Sequence, residues 1–444
     1  MWLLSTFKLI IMLKRFLLIV SLFTLLNVYA QDTAHNAHTS APVVNSSITD
    51  QQIISGRKNS PEQMNKPYVI LISADGFRND FTELYEAKKL QALSKAGVRG
   101  KFMIPSYPSV TFPNHYSIAT GLYPAHHGLV DNSYIDVSTG AFYNMGNKKM
   151  VAEGKWYGGT PLWVLAEQQK MISASFYWVG SEADIQGIKP TYHYIYNEKI
   201  DIATRIKAVK EWLSLPEDKR PHFITFYFSD VDHDAHTYGP DDIRVKKSVQ
   251  FVDSSINALQ ESLASLNLPI NYIFVSDHGM AKVDNVNTKP LPASIDTAYF
   301  TVPWGDTQLH LYAKDKSKVE STYNALKKDT SVTVYTLDET PAYWHYKKAD
   351  DKFNRLGDLI VVPHFPKVFN LSRSKASLGK HGFDNHMPEM RASFMAWGPA
   401  FKKGLTIDGF ENVNIYPIVA HILGLAYDVK TIDGKFEVLK PILK

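Results

Sequence analysis

Three runs in this chain are almost unbroken in apolar residues, and each ends at an acid: YVILISADG at 68–76, HFITFYFSD at 222–230 and NYIFVSDHG at 271–279. A strand with one wet face alternates apolar and polar residues, because successive side chains point to opposite faces. A run without alternation is covered on both faces, as in a parallel sheet with helices above and below. A fourth run, ASFMAWGP at 392–399, has the same character. Between the second and third runs, Ile243, Val249, Val252, Ile256, Leu259 and Leu263 recur at helical spacing. FTELYEAKKLQALSKAG repeats Leu84, Ala87, Leu90 and Leu93 in the same way, with Gly97 as a stop. Strand, helix, strand repetition predicts an α/β fold: a mainly parallel central sheet with helices on both faces. The region from about 300 to 375 is less regular and reads as a smaller insertion beside the sheet.

The acids at the ends of these runs carry the chemistry, since ligands of open α/β sheets bind at the carboxyl edge of the strands. Asp75 follows the first run, and Asp277 and His278 follow the third. DVDHDAHTYGP places Asp232 and His236 one helical turn apart, and His381 lies in GKHGFDN ahead of the last run. Any one of them alone reads as a turn cap or a hydrogen-bonded structural histidine. Together, three Asp and three His at one edge are a costly accumulation of buried charge unless cations compensate it. Two divalent ions would, and carboxylate with imidazole but no thiolate suits zinc best, with manganese or iron as alternatives. Two metals roughly 4 Å apart clamp the attacking and leaving oxygens of an in-line displacement at phosphorus.

Charge and the N-terminus bound the setting. The formal net charge is +4, but Lys8, Lys14 and Arg15 fall in residues 1–30 without an acid, leaving 4 − 3 = +1 for the remainder. A near-neutral chain argues against specific binding of a nucleic-acid polymer. Residues 1–30 read as a signal peptide: a basic start, the run FLLIVSLFTLL at 16–26, and Val28-Tyr29-Ala30 as a cleavage site. Met12 is an alternative start, and an uncleaved anchor is the competing reading; no later segment is long and apolar enough to span a membrane. Residues 31–66 are polar and aperiodic and read as a flexible lead-in to a domain at 67–440. An exported chain with no cysteine fits the periplasm of a Gram-negative bacterium, or secretion. The sequence leaves the oligomeric state open.

The segments SADGFRND (73–80), TFPNHYSIATGLYPAHHGLVDN (111–132), FYFSDVDHDAHTYGP (226–240), VSDHGM (275–280) and KHGFDN (380–385) together resemble the nucleotide pyrophosphatase/phosphodiesterase family of the alkaline phosphatase superfamily. They fall in family order over nearly the whole of 67–440. The resemblance implies an alkaline-phosphatase-like core and two Zn2+ per chain. One zinc would be held by Asp232, His236 and His381, the other by Asp75, Asp277, His278 and the hydroxyl of Thr111. Thr111 becomes the nucleophile, and Asn132 holds a non-bridging phosphoryl oxygen. A threonine hydroxyl is hardly ionised at neutral pH, but coordination to zinc lowers the pKa of a bound oxygen by several units. Thr111 also opens an apparent helix with Pro113 near its start, where backbone N–H groups favour a phosphate oxygen.

The same resemblance assigns a nucleotide pocket: Phe112 and Tyr196 on either side of a base, with Trp178 and Glu182 nearby. A lysine that helps read the base in nucleotide-preferring relatives is replaced by Val151, with Lys148, Lys149 and Lys155 flanking it. That points to a broad nucleotide preference. The leading expectation is an exported two-zinc phosphodiesterase that forms a phospho-threonine and releases nucleoside monophosphate. The alternatives are a lysophospholipid or glycerophosphocholine-type diesterase, a phosphomonoesterase, and an envelope binding protein with structural metals.

Overall fold

The computed structural model describes residues 51–372 and 374–444; the expected leader and the first part of the lead-in, 31–50, lie outside the described residues. In chain order the first strands are β1 (Gln51–Ile53), β2 (Tyr68–Ala74), β3 (Val98–Gly100), β4 (Ser173–Phe176), β5 (Tyr192–Tyr194), β6 (Phe223–Phe228) and β7 (Ile270–Val275). They are followed by β8 (Phe300–Thr301), β9 (Leu309–Ala313), β10 (Val332–Thr336), β11 (Leu359–Pro363), β12 (Phe394–Trp397) and β13 (Leu405–Ile407). The central sheet runs β1-β5-β4-β6-β2-β7-β12-β3-β13. Neighbours from β5 to β7 are parallel. β12 runs against both its partners, and β1 runs against β5.

The absence of alternation has a direct cause. Val69, Leu71, Phe223, Ile273 and Val275 enter one core, while Ile70, Ile72, Ile224, Phe226 and Phe274 enter another on the opposite face. The helices that pack on the central sheet or carry site residues include α1 (Lys88–Ala96), α2 (Thr111–Thr120), α3 (Ile202–Leu213), α4 (Asp230–Tyr238), α5 (Ile243–Ala264) and α6 (Ile415–Leu423). Residues of α2 and α6 fill the first core, and those of α1, α3 and α5 fill the second. Each such aliphatic side chain taken out of water contributes roughly 1.5–3 kcal/mol. Among the described residues, no helix is long and apolar enough to cross a membrane.

Three expectations are corrected. Residues 51–66 are not a free lead-in. β1 adds a strand at the sheet edge, and buried Asn59 donates to Glu217 O (2.8 Å) and Arg220 O (2.7 Å) while accepting from Ile172 N–H (2.7 Å). This segment is held by polar contacts, so hydrophobic periodicity does not reveal it. The pattern from Phe81 to Gly97 is not one helix: Glu86 adopts φ 55, separating a short Phe81–Leu84 turn from α1 and leaving Leu84 exposed. The region 300–375 is more regular than its sequence suggests. It holds a sheet ordered β8-β9-β11-β10 whose neighbours are antiparallel, with its own core of Leu309, Leu311, Val334, Leu359 and Val361.

Candidate active site

β2, β6 and β7 are parallel neighbours in near register, Ala74 opposite Phe228 and Ser73 opposite Val275. Their carboxyl ends therefore deliver Asp75, the start of α4, and Asp277 with His278 to one place. Gly76 permits the closeness: it has φ 64, and a Cβ there would stand 3.0 Å from Asp232 Cβ. α2 brings Thr111 in from the side. Gly121, with φ 69, closes that helix by donating its N–H to Ser117 O at 2.8 Å.

The predicted ligand set converges. Oxygen and nitrogen atoms of Asp75, Asp277 and His278 lie within 4.8 Å of one another, as do those of Asp232, His278 and His381. His236 joins the second group, its Nε2 lying 3.0 Å from His381 Nε2 and 3.5 Å from Asp232 Oδ2. Thr111 Oγ1 is 3.3 Å from His278 Nε2. Ligands at about 2.0–2.1 Å around a tetrahedral zinc stand roughly 3.3 Å apart, so this spacing suits that ion.

The hydrogen bonds fix how the three imidazoles face the centre. His236 Nδ1 lies 2.8 Å from Gly379 O, His278 Nδ1 2.9 Å from Gly279 O, and His381 Nδ1 2.9 Å from Ser109 O. A carbonyl only accepts, so each Nδ1 carries a proton and each Nε2 is left as the ring atom that could ligate a cation at the centre. Asp75 Oδ1, Asp232 Oδ1 and Asp277 Oδ2 are buried with no hydrogen-bond partner among the described residues. Each faces an imidazole Nε2: Asp75 and Asp277 face His278 at 3.5 and 2.9 Å, and Asp232 faces His381 at 3.6 Å. Three carboxylates gathered in a buried centre are unfavourable without compensating positive charge, and the residues present fit two divalent cations.

The proton affinities record the same conflict. Burial, then the charges of Asp277 and Asp232, push the Asp75 carboxyl well above the usual range. Burial, with His278 and His236 beside it, holds His381 well below the ordinary imidazole value. Burial also opposes ionisation of Asp277, but His278 and His115 overcome it and hold that carboxyl well below the usual range.

Asn132 lies in the loop before a hairpin (Ser133–Asp136 with Ala141–Asn144) and accepts from the Phe112 N–H through Oδ1 at 3.1 Å. Its Nδ2 is thereby left to donate to a bound oxygen. Phe112 is half-buried at the start of α2. Tyr196 is also half-buried, its N–H donating to Glu182 Oε1 at 2.7 Å. The Tyr196 ring centre lies 6.1 Å from that of Tyr227, which reaches the ligand Asp75. Trp178 departs from expectation. It is 5 % exposed, and its indole N–H donates to His115 O at 2.9 Å, so it backs the site wall and offers no open face.

Several participants escape a reading of the motifs. Tyr227 donates to Asp75 Oδ2 at 2.6 Å, fixing the carboxylate that faces His278. His115 lies 3.3 Å from Asp277 Oδ2, and Gly76 N–H donates to Asp277 Oδ1 at 3.1 Å. His115 stands four residues after Thr111, on the same helical face, and that spacing was the available signal. Asp131 accepts from the Asn132 N–H through Oδ1 (2.6 Å) and from Gln308 Nε2 through Oδ2 (2.7 Å), with His310 Nε2 at 3.5 Å. Gln308 and His310 come from β9 and its approach, far along the chain, and nothing in the sequence pairs them with Asp131.

A mainly parallel sheet whose strand ends carry these two Asp/His groups beside a helix-borne threonine is the alkaline-phosphatase-like arrangement. A profile of the type I phosphodiesterase/nucleotide pyrophosphatase family matches residues 69–384, and the chain belongs to that family. It is 34 % identical over 381 residues to mouse ectonucleotide pyrophosphatase/phosphodiesterase family member 1, covering 82 % of this chain and 42 % of that one. The chain thus spans about two-fifths of the length of that relative. A pyrophosphatase/phosphodiesterase of Schizosaccharomyces pombe is 34 % identical over 392 residues, covering 84 % of this chain and 80 % of its own. Murine ectonucleotide pyrophosphatase/phosphodiesterase 5 superposes with a TM-score of 0.79 at 27 % identity, over 85 % of this chain and 100 % of that one. An inactive threonine-to-alanine variant of that protein has been solved in complex with AMP and matches with the same score.

Proposed function

We propose that this chain is an exported, periplasmic phosphodiesterase/nucleotide pyrophosphatase with two zinc ions, and that 67–440 is its catalytic domain. Asp232, His236 and His381 would hold one ion; Asp75, Asp277, His278 and Thr111 Oγ1 the other. The observation that carries the reading is the ring of buried carboxylate oxygens and imidazole Nε2 atoms that closes around the Thr111 hydroxyl. When bound, the ions lower the proton affinity of that hydroxyl and offset charge on the phosphoryl group.

The chain's own groups do the rest. Thr111 Oγ1 bonds to phosphorus as the bond to the leaving oxygen breaks, and Asn132 Nδ2 donates to a non-bridging oxygen throughout. Water then cleaves the phospho-threonine, returning the hydroxyl and releasing nucleoside monophosphate. Phe112 and Tyr196 border the retained nucleoside, with Glu182 behind Tyr196. The AMP complex of the murine neighbour supports a nucleotide in this role, and its inactive threonine variant supports Thr111 as nucleophile.

A panel of thymidine monophosphate p-nitrophenyl ester, ATP, bis-p-nitrophenyl phosphate, p-nitrophenyl phosphate and a choline phosphodiester tests the assignment. Turnover of nucleotide diesters and anhydrides is expected to exceed that of the monoester; an equal or faster monoester overturns it. Thr111→Ala should lose turnover while metal analysis still finds most of the two ions. An active Thr111→Ala enzyme rules out the nucleophile assignment.

A further inference from the structure

A cavity of about 530 Å³ opens against the reaction centre, with Thr111, Asn132, Asp232, His236 and His381 on one wall. That volume lies within the range of small-molecule sites. Its residues do not include Phe112, Glu182 or Tyr196, so it is not the pocket of the retained nucleoside. In-line displacement puts the leaving oxygen on the far side of phosphorus from the nucleophile. In the proposed assignment Thr111 belongs with Asp75, Asp277 and His278, so the leaving side is that of Asp232, His236 and His381, which line the cavity.

The other wall includes Trp304, Asn370, Lys375 and Lys380. Trp304 is 79 % exposed and takes part in no ring contact or side-chain hydrogen bond among the described residues. Exposing so large an apolar ring is unfavourable, and a bare indole face at the mouth of a polar cavity is a stacking surface. A second cavity of about 490 Å³ shares Trp304, Asn370 and Leu371, so the indole forms a ridge between the two. Lys380 pairs with Asp306, and Lys375 supplies an exposed ammonium with no carboxylate partner among the described residues.

We propose that this cavity is a leaving-group subsite, in which Trp304 stacks on a nucleobase while Lys375 and Lys380 hold its phosphate. The inference rests on the proposed phosphodiesterase reading and adds a preference: leaving groups that are themselves nucleotides are favoured over inorganic pyrophosphate. As Thr111 Oγ1 bonds to the α-phosphorus, the bridging P–O bond breaks and the outgoing nucleotide departs with the electron pair into this cavity.

Dithymidine 5′,5′-diphosphate and TTP share the thymidylyl half and differ only in what leaves, TMP or pyrophosphate. Stacking on one aromatic is worth between about five- and a hundredfold. Trp304→Ala should therefore lower kcat/KM on dithymidine diphosphate about tenfold more than on TTP, and Trp304→Phe should recover most of the difference. Dithymidine diphosphate should also bind the Thr111→Ala protein about tenfold more tightly than the Thr111→Ala, Trp304→Ala protein. Equal losses on both substrates, or none on either, overturn the subsite while leaving the diesterase reading intact. A wild-type protein that cleaves neither substrate refutes the underlying reading instead. The ring is exposed, so its removal opens no core cavity, and folding does not confound the result.

Discussion

Asp131 offers a sharp test of how the Asn132 amide, proposed to hold the phosphoryl group, is kept in place. It is buried, and its two oxygens serve different masters: Oδ1 takes the Asn132 N–H and Oδ2 takes Gln308 Nε2. Asp131→Ala leaves the buried Gln308 amide unsatisfied and frees the half-buried Asn132 N–H, so a loss of about 1–3 kcal/mol in stability is expected. Asn132 would then keep its carbonyl bond from the Met145 N–H, but its side chain would be held only through the Phe112 N–H. Losing a donor to a transition-state oxygen outright costs about a hundred- to a thousandfold in kcat, so a loosened one should cost about ten- to a hundredfold. Asp131→Asn behaves differently. Gln308 Oε1 has no partner among the described residues, so the glutamine amide can turn over and accept from the new Nδ2 while Oδ1 keeps the Asn132 N–H. Only the charge-assisted part of the bonding goes, about 1 kcal/mol. Chemical denaturation and steady-state kinetics on the two variants check this directly. If Asp131→Asn loses as much kcat as Asp131→Ala, the residue acts through its charge and the positioning argument fails. Full activity in a folded Asp131→Ala protein refutes it as well.

Two further outcomes concern pH. Burial and the neighbouring Asp277 and Asp232 raise the Asp75 carboxyl, so the metal-free fold loses stability as pH climbs from the usual carboxylate range through the raised value. The melting-temperature gap between metal-loaded and chelated protein should therefore widen from pH 5 to pH 8; a constant or narrowing gap contradicts the compensation argument. His126 is pulled down by burial, but the Asp433 carboxylate at 2.7 Å more than offsets this and raises its proton affinity. Its contribution is full below the unfolded value of about 6.5 and lost as pH rises through the higher folded one. His126→Gln should cost about 1 kcal/mol at pH 5.5 and much less at pH 8.5, measured by denaturant titration.

The reaction centre was legible because its ligands sit where apolar strands stop, and that boundary is visible in the chain itself. β2, β6 and β7 announce themselves by lacking alternation, and the two cores on either face explain why. What stayed hidden depends on long-range approach. His278 stands between both ligand groups, which adjacency to Asp277 does not reveal. Gln308 meets Asp131 only because β9 is folded into a sheet of its own. Trp178 shows the limit from the other direction: placed near the base pocket by its motif, it has its indole N–H spent on the His115 carbonyl inside the core.

The three inward imidazoles are each oriented by a backbone carbonyl, Gly379, Gly279 or Ser109, whereas Asp75 leans on the Tyr227 hydroxyl and Asp277 on the His115 ring. The two proposed cation positions are therefore unequally open to sequence drift. Around His236 and His381 the orienting groups belong to the peptide chain, and no single substitution deletes them. Around Thr111 they include side chains, which a single codon change can alter. Divergence of reactivity among descendants of this sequence would begin at Tyr227 and His115, while the histidine pair opposite keeps its aim for as long as the fold persists.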